Sequence, residues 1–534
     1  MTIDRRLLLK AATLGLGALS VPGAAQALAK RGFTHGVASG EPRQRSVMLW
    51  TRHVPGGRLH WQVSRTGDFR RIVAEGDVAA EAERDYCVKP VATGLEPGRV
   101  YHYRFRDSRG AVSAAGRTRT LPEGKAGRFT LGIFSCSNLP FGFFNAYAHA
   151  AARGDLDLLV HLGDYLYEYP RGTYPGPKEA MGGRAIQPAG ETVALADYRL
   201  RYAAYRSDPD LQRLHASAPI VMMWDDHESA NDSWHGGAEN HQKEEGDWAV
   251  RKAAAMRACR EWLPVSDNGW ESYEIGELAT LFRPETRLTA RSRILSYGQA
   301  LAGTKDVRAA LAAFRDGPLS DPARTMIGAE QEKWLEGGLR ASARRGARWQ
   351  VLAQQTIMGS LALPPESETW IGADAPEFVR KRSAVGLAAS KAGLPMNLDA
   401  WDGYPAARER LLRAALEADS NLIVLAGDSH NGWAFDLDLG GTPAGVEFAG
   451  QSVTSPGLEA YVPSVPPADL ARAMVARNAQ LKWADIGRRG YLSLELTPER
   501  ATGTWHFLET IRTRSTRLAG SHRMTIARGS RRFA

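Results

Sequence analysis

"FTLGIFSCSN", Phe129–Asn138, is an apolar run that climbs to a lone cysteine and stops in a polar turn. The run is of strand length, and the polar stop puts Cys136 just past the strand's carboxyl end. By itself the stretch leaves four roles open for Cys136: buried filler, half of a disulfide, nucleophile or metal ligand. Three further stretches have the same form. "LDLLVHLGDYLYEY" ends at Asp164, with Tyr167 three residues on. "PIVMMWDDHE" ends at Asp225, Asp226, His227 and Glu228, and "NLIVLAGDSHN" ends at Asp428 and His430. An apolar strand followed by aspartate is common as a helix cap. Four such endings in one region point to a shared site, because open α/β sheets bind ligands outside the carboxyl ends of their strands.

Around these strands lie helical stretches. "NAYAHAAARG" and "AARERLLRAALEA" have helical periodicity, and "GAEQEKWLEGGLRAS" predicts a helix capped near Gly337–Gly338. Strands alternating with helices predict an α/β domain over 128–534. A Gly-, Glu- and Trp-rich stretch from Ser233 to Thr280 interrupts the pattern and reads as a helical insertion near the site. Upstream, 30–123 reads differently. "SVMLWTRHV" and "RLHWQVSR" alternate apolar and polar residues, and "GLEPGRVYHYRFRD" sets a Pro-Gly turn before a further alternating strand, which resembles fibronectin type III-like sandwiches. The expected architecture is a fibronectin/Ig-like β-sandwich, a linker at Leu121–Gly127, and a larger α/β domain.

The first 29 residues place Arg5 and Arg6 before a modest apolar run and two overlapping Ala-x-Ala sites. That layout predicts a cleaved export signal of the twin-arginine type, and hence a periplasmic or secreted protein with the twin-arginine machinery as a partner. Gly15, Gly17 and Pro22 break the run short of the ~20 apolar residues that a spanning helix needs. The 534-residue chain has only three cysteines, Cys87, Cys136 and Cys259, too few for a disulfide framework. Its formal charge of +9 favours anionic ligands, but the positives are scattered and give no sign of nucleic-acid recognition.

The residue types at the strand ends constrain the chemistry. Carboxylates gathered at one locus repel unless a cation lies between them. Thiolate, phenolate and imidazole suit a transition metal such as iron, while Asp and Asn oxygens suit a harder ion such as Ca²⁺, Mg²⁺ or Mn²⁺. Two close metals are a known solution for phosphoryl chemistry. A Cys-His-Asp arrangement of Cys136, His430 and Asp428 is the competing, nucleophilic reading.

In this order, "SCSN", "GDYLYEY", "WDDHE", "GDSHN" and "SVTSPG" resemble the PhoD family of exported alkaline phosphatases, within the calcineurin-like metallophosphoesterases. The resemblance runs along essentially the whole chain and implies an αββα-sandwich catalytic domain. It further implies an Fe³⁺–Ca²⁺ centre, with Mn²⁺, Mg²⁺ or Zn²⁺ as substitutes, that hydrolyses phosphate monoesters and often diesters, phospholipids among the candidate substrates. Carried onto this chain, Cys136, Asp164, Tyr167 and His430 hold the iron. Asp164 bridges to calcium, which Asp428 and an oxygen from Asp225, Asp226, Asn231 or Asp232 complete. His227 and Arg206 are the expected catalytic groups, offsetting charge on the phosphate as a water activated at the metals attacks phosphorus.

Overall fold

The computed structural model describes residues 32–371 and 377–534. The expected export signal lies outside the described residues. Two mixed sheets stack face to face. The first has ten strands, in the order Leu518–Ala527, Arg500–Leu508, Gly490–Leu496, Phe129–Phe134, Leu158–His161, Ile220–Met222, Phe33–Gly40, Val47–His53 and Cys87–Val88, with Val91–Ala92 also paired to Val47–His53. The second has seven, with Ala279–Arg283, Trp349–Ala353, Leu422–Ala426 and Thr442–Ala449 parallel at its centre.

Strand alternation explains the layers. Leu131, Ile133, Leu158, Val160 and Val221 of the first sheet meet Leu281, Val351, Ile423 and Leu425 of the second in a dry inter-sheet core. The outward residues Phe134, Leu159, Ile220 and Met222 pack under helices that contribute Tyr147, Tyr202, Leu214 and Trp262. On the opposite side Leu352, Leu422 and Val424 pack under Leu335, Leu339, Leu411 and Met474. The order helix, sheet, sheet, helix is the expected αββα sandwich.

Three expectations need adjustment. The N-terminal β-sandwich is present: a four-stranded antiparallel sheet (Ile72–Ala80, Gly57–Ser64, Val100–Asp107, Gly116–Arg119) closes over Phe33, Val47, Leu49, Tyr103 and Phe105. Its other layer, however, is continuous with the catalytic sheet, because Gly40 pairs in parallel with Ile220. Second, the helix Gly328–Arg344 runs through Gly337–Gly338 and stops before Gly346, which takes φ +82°. Each interior glycine costs about 1 kcal/mol of helix propensity, and burial of Leu335 and Leu339 on the same helix outweighs it. Third, the 233–280 insertion is helical only over Trp248–Trp262, apart from one short turn at Lys243–Glu245. Its tail forms the antiparallel edge pair Glu271–Ile275 and Ala279–Arg283.

Candidate metal centre

The strands Phe129–Phe134, Leu158–His161 and Ile220–Met222 are parallel neighbours, so their carboxyl ends open on the same edge. The loops beyond them are laced together by backbone bonds. Cys136 N donates to Gly163 O (3.2 Å), Ser137 N to Asp164 O (2.8 Å), and Val453 N to Ser135 O (3.0 Å). Eleven described non-glycine residues have positive φ, and five of them are Cys136, Asp164, Asp232, Asp428 and His430. Each such residue costs of order 1–3 kcal/mol and persists only where its surroundings over-determine it. Strain concentrated on the chemistry-bearing side chains of four separate loops marks one pre-organised site.

Gly163 shows how tight the packing is. Its φ is +103°, and a Cβ there would lie 2.4 Å from Asp225 Cβ. Gly163→Ala is therefore expected to lower the melting temperature and to displace Asp225. Thermal denaturation with metal analysis checks this. Gly183→Ala, with φ +77° and nothing within 4 Å, should cost only the backbone strain.

On one side of the site Cys136, Asp164 and His430 offer ligand atoms within 4.8 Å of one another. Tyr167 Oη lies 3.0 Å from Asp164 Oδ2, 3.3 Å from His430 Nε2 and 2.7 Å from Ser455 Oγ. His430 Nδ1 is 2.6 Å from the Pro456 carbonyl oxygen and donates to it. That bond fixes the tautomer and leaves the Nε2 lone pair aimed into the site. Burial pushes the imidazole down to about 4, so it is neutral, as a ligand must be. Burial and the Asp164 carboxylate push the Cys136 thiol and the Tyr167 phenol up. A bound cation reverses that logic and favours thiolate and phenolate. Asp164 Oδ1 is buried with no hydrogen-bond partner in the protein. The donor set thus fits the softer of the two expected metals.

The Cys-His-Asp alternative does not fit. Asp428 would have to receive His430 Nδ1–H, but that hydrogen goes to Pro456. Asp428 instead accepts from Arg287 Nη2 at 3.2 Å.

On the other side, Asp225, Asp226 and Asp428 offer oxygens within 4.8 Å of one another. Asp164 and Asp226 also form such a group with His227, so Asp164 belongs to both halves. Arg287, fully buried, lies among these carboxylates. It donates from Nε to Asp225 Oδ1 and from Nη1 to both oxygens of Asp399 at 2.8 Å. Burial raises the Asp225 carboxyl to about 6 against the pull of Arg287. Burial opposes ionisation of Asp226 as well, but there Arg287 and His227 win and hold it below the usual carboxylate range. Asp226 is the better-placed ionised oxygen donor, and Asp225 the better-anchored partner of Arg287.

His227 Nδ1 is 2.7 Å from Glu168 Oε2. Burial works against its charge, but Asp226, Glu168 and Asp164 together push its pKa well above the ordinary histidine value. Glu168 also accepts from Asn231 N and Asn240 Nδ2, both at 2.8 Å, which fixes it in place. The Glu228 carboxylate orients backbone donors. It accepts from the backbone N–H groups of Asp164 (3.1 Å), Tyr165 and Asp225 (2.7 Å), pinning two ligand loops together.

One predicted residue is corrected. Arg206 is not a phosphate anchor: it is fully buried, its guanidinium 4.1 Å over the Trp50 ring, with Nη2 donating to His35 O. It ends the helix Leu195–Arg206 against the N-terminal strands, so it joins the sandwich to the catalytic layers. Asn231 Oδ1, the atom an amide offers a metal, takes no part in its side-chain bond to Glu239. Its side-chain amide donates to Glu239 Oε2 at 3.2 Å.

The sequence reading missed Arg287, Asp399, Glu168 and Ser455. A signal for the first was present. "ATLFRPETRLTAR" is another apolar run that ends in charge: it is the strand Ala279–Arg283 of the second sheet with the loop that follows it. Glu285 shapes that loop by accepting from the backbone N–H of Arg287 (2.8 Å) and Leu288 (2.7 Å) and from Trp224 Nε1 (2.9 Å).

Comparison with known proteins gives the class and then the family. The chain is similar to a solved structure described as the structure of PhoD, with a TM-score of 0.75 and 28% identity over 95% of this chain and 92% of that one. It is 34% identical over 499 residues to alkaline phosphatase D of Bacillus subtilis (strain 168), covering 85% of this chain and 77% of the relative. With the two-sheet fold and the clustered strand-end residues, these likenesses define a phosphoric ester hydrolase. The chain belongs to the PhoD-like phosphatase family: residues 131–505 match the family's phosphatase domain and residues 19–122 its N-terminal domain.

Proposed function

We propose that the chain is a metal-dependent phosphoesterase, exported already folded by the twin-arginine route, that acts on phosphate monoesters and more slowly on diesters. The observation that carries this reading is the juxtaposition of two donor sets through one carboxylate. Cys136, Tyr167 and His430 meet Asp164 on one side, and Asp226 and Asp428 lie on the other. The first set matches Fe³⁺ and the second Ca²⁺ or another hard divalent ion. When bound, such a pair binds phosphate oxygens and makes water a competent nucleophile near neutral pH.

The protein's own groups do the rest. Pro456 and Glu228 fix the ligand loops, so little reorganisation accompanies reaction. Glu168 holds the His227 imidazolium, whose positive charge offsets the charge that grows on the phosphoryl and leaving oxygens. Tyr169, half-buried beside His227 at 5.4 Å between ring centroids, is well placed to border the leaving group. Folded export suits this site, because Cys136 is buried and can be metallated before it meets an oxidising compartment. The leader with Arg5 and Arg6 supports periplasmic or secreted localisation.

The test is turnover of an aryl phosphomonoester, a bis-aryl phosphodiester and a phosphatidylcholine, each with and without a Ca²⁺-selective chelator. The expected result is that monoester turnover is fastest and is lost on chelation, then restored by added Ca²⁺. Full activity after chelation would overturn the metal reading. Faster turnover of either diester would make the enzyme a phosphodiesterase first.

A further inference from the structure

We propose that Arg287 is a fixed cation built into the metal centre, taking the space among Asp225, Asp399 and Asp428 that a further divalent ion would otherwise fill. The inference rests on the metal-centre reading above and concerns how many ions that centre holds.

The geometry is that of an ion in a cage of oxygens. Arg287 Nη1 donates to both Asp399 oxygens at 2.8 Å, Nη2 to Asp428 Oδ1 at 3.2 Å, and Nε to Asp225 Oδ1. Asp226 Oδ1 is 3.8 Å from Nη2. Four aspartates therefore face one side chain that is entirely shielded from solvent. These five carboxylate oxygens approach the six to eight oxygens that a Ca²⁺ ion takes. Asp225 Oδ2 is buried without a protein partner, so the cage still has unused donor capacity.

A guanidinium differs from an ion in three useful ways. It stays charged at any pH the enzyme meets. A chelator cannot remove it. It also carries one charge rather than two, so it leaves the neighbouring carboxylates Asp226 and Asp428 negative enough to bind a metal. Removing it would leave Asp225 and Asp428 without their cation, while Asp399 keeps Arg291, whose Nη2 is 2.6 Å from its Oδ1, and a buried charge that loses its partner is strongly destabilised. An added divalent ion is the direct remedy.

The experiment compares wild type, Arg287→Ser and Arg287→Lys, each equilibrated with Ca²⁺ and desalted. Ions per chain are counted by elemental analysis, and melting temperature is followed against Ca²⁺ concentration. Arg287→Ser is expected to hold one more divalent ion per chain than wild type, and its melting temperature should climb more steeply with Ca²⁺. Arg287→Lys keeps the charge and should gain none. The proposal is overturned if Arg287→Ser holds the wild-type number or fewer, if it stays unfolded in saturating Ca²⁺, or if the lysine variant gains the extra ion too. The wild-type count tests the metal-centre reading separately, since the inference is read from the difference between variants.

Discussion

Asp164→Asn is expected to abolish turnover and to cost the centre its iron-side ion, while making the metal-stripped protein more stable. Both results follow from one position. Asp164 shares a donor group with Cys136 and His430 and another with Asp226 and His227, so it couples the two halves. Loss of an outer partner of a metal ligand already costs roughly 10–100-fold in affinity or activity, and loss of the shared carboxylate should exceed that. In the metal-free chain the same carboxylate is a liability. Burial, reinforced by Asp226, Asp225 and Glu228 and opposed by His227, raises its pKa well above the usual carboxylate range. A folded-state pKa raised above the unfolded value of about 4 gives stability that is complete below that value and is lost as pH rises through the folded pKa. The contribution of Asp164 to the stability of metal-stripped wild type should therefore fall as the pH rises through its folded pKa, and Asp164→Asn should lack that fall. Melting curves of stripped and loaded protein across pH check both signs. A stripped Asp164→Asn less stable than stripped wild type would contradict this electrostatic account.

His227→Asn should lower kcat by roughly 10²–10³-fold, the range that loss of one pre-organised transition-state donor costs, with the metals retained. His227 lies within 4.8 Å of oxygens on Asp164 and Asp226, yet its Nδ1 is committed at 2.7 Å to Glu168, a carboxylate outside the proposed ligand set. An imidazolium does not ligate a metal; it neutralises phosphate. Glu168→Gln should give a smaller loss of the same kind, because it leaves the ring in place and weakens only its charge. Steady-state kinetics beside elemental analysis separates the roles. If His227→Asn loses an ion along with its activity, His227 is a ligand and the assignment is wrong.

What the sequence made legible was local. Each loop of the proposed centre directly follows its own apolar strand, so the gathering of Cys136, Asp164, Tyr167, Asp226, Asp428 and His430 could be read from runs of about ten residues. The outward and inward alternation of Leu158, Leu159 and Val160 could be read the same way. What stayed hidden depends on contacts between distant segments. Arg287 meets Asp399 across 112 residues, and Tyr167 meets Ser455 across 288. Arg206 was misassigned because "YRSDP" says nothing about which way the end of a helix faces. The pairing of Gly40 with Ile220 brings the N-terminal strands, and with them Trp50, against that helix.

The central claim is that Cys136, Asp164, Tyr167 and His430 together hold a transition metal. The most direct measurement is an anomalous difference map from crystals of the exported, unsoaked protein, collected above and below the iron absorption edge. The account predicts a single iron peak bounded by the Cys136 sulfur, the Asp164 carboxylate, the Tyr167 oxygen and His430 Nε2. An active enzyme whose map shows no peak there, with Cys136 a free thiol, would contradict it.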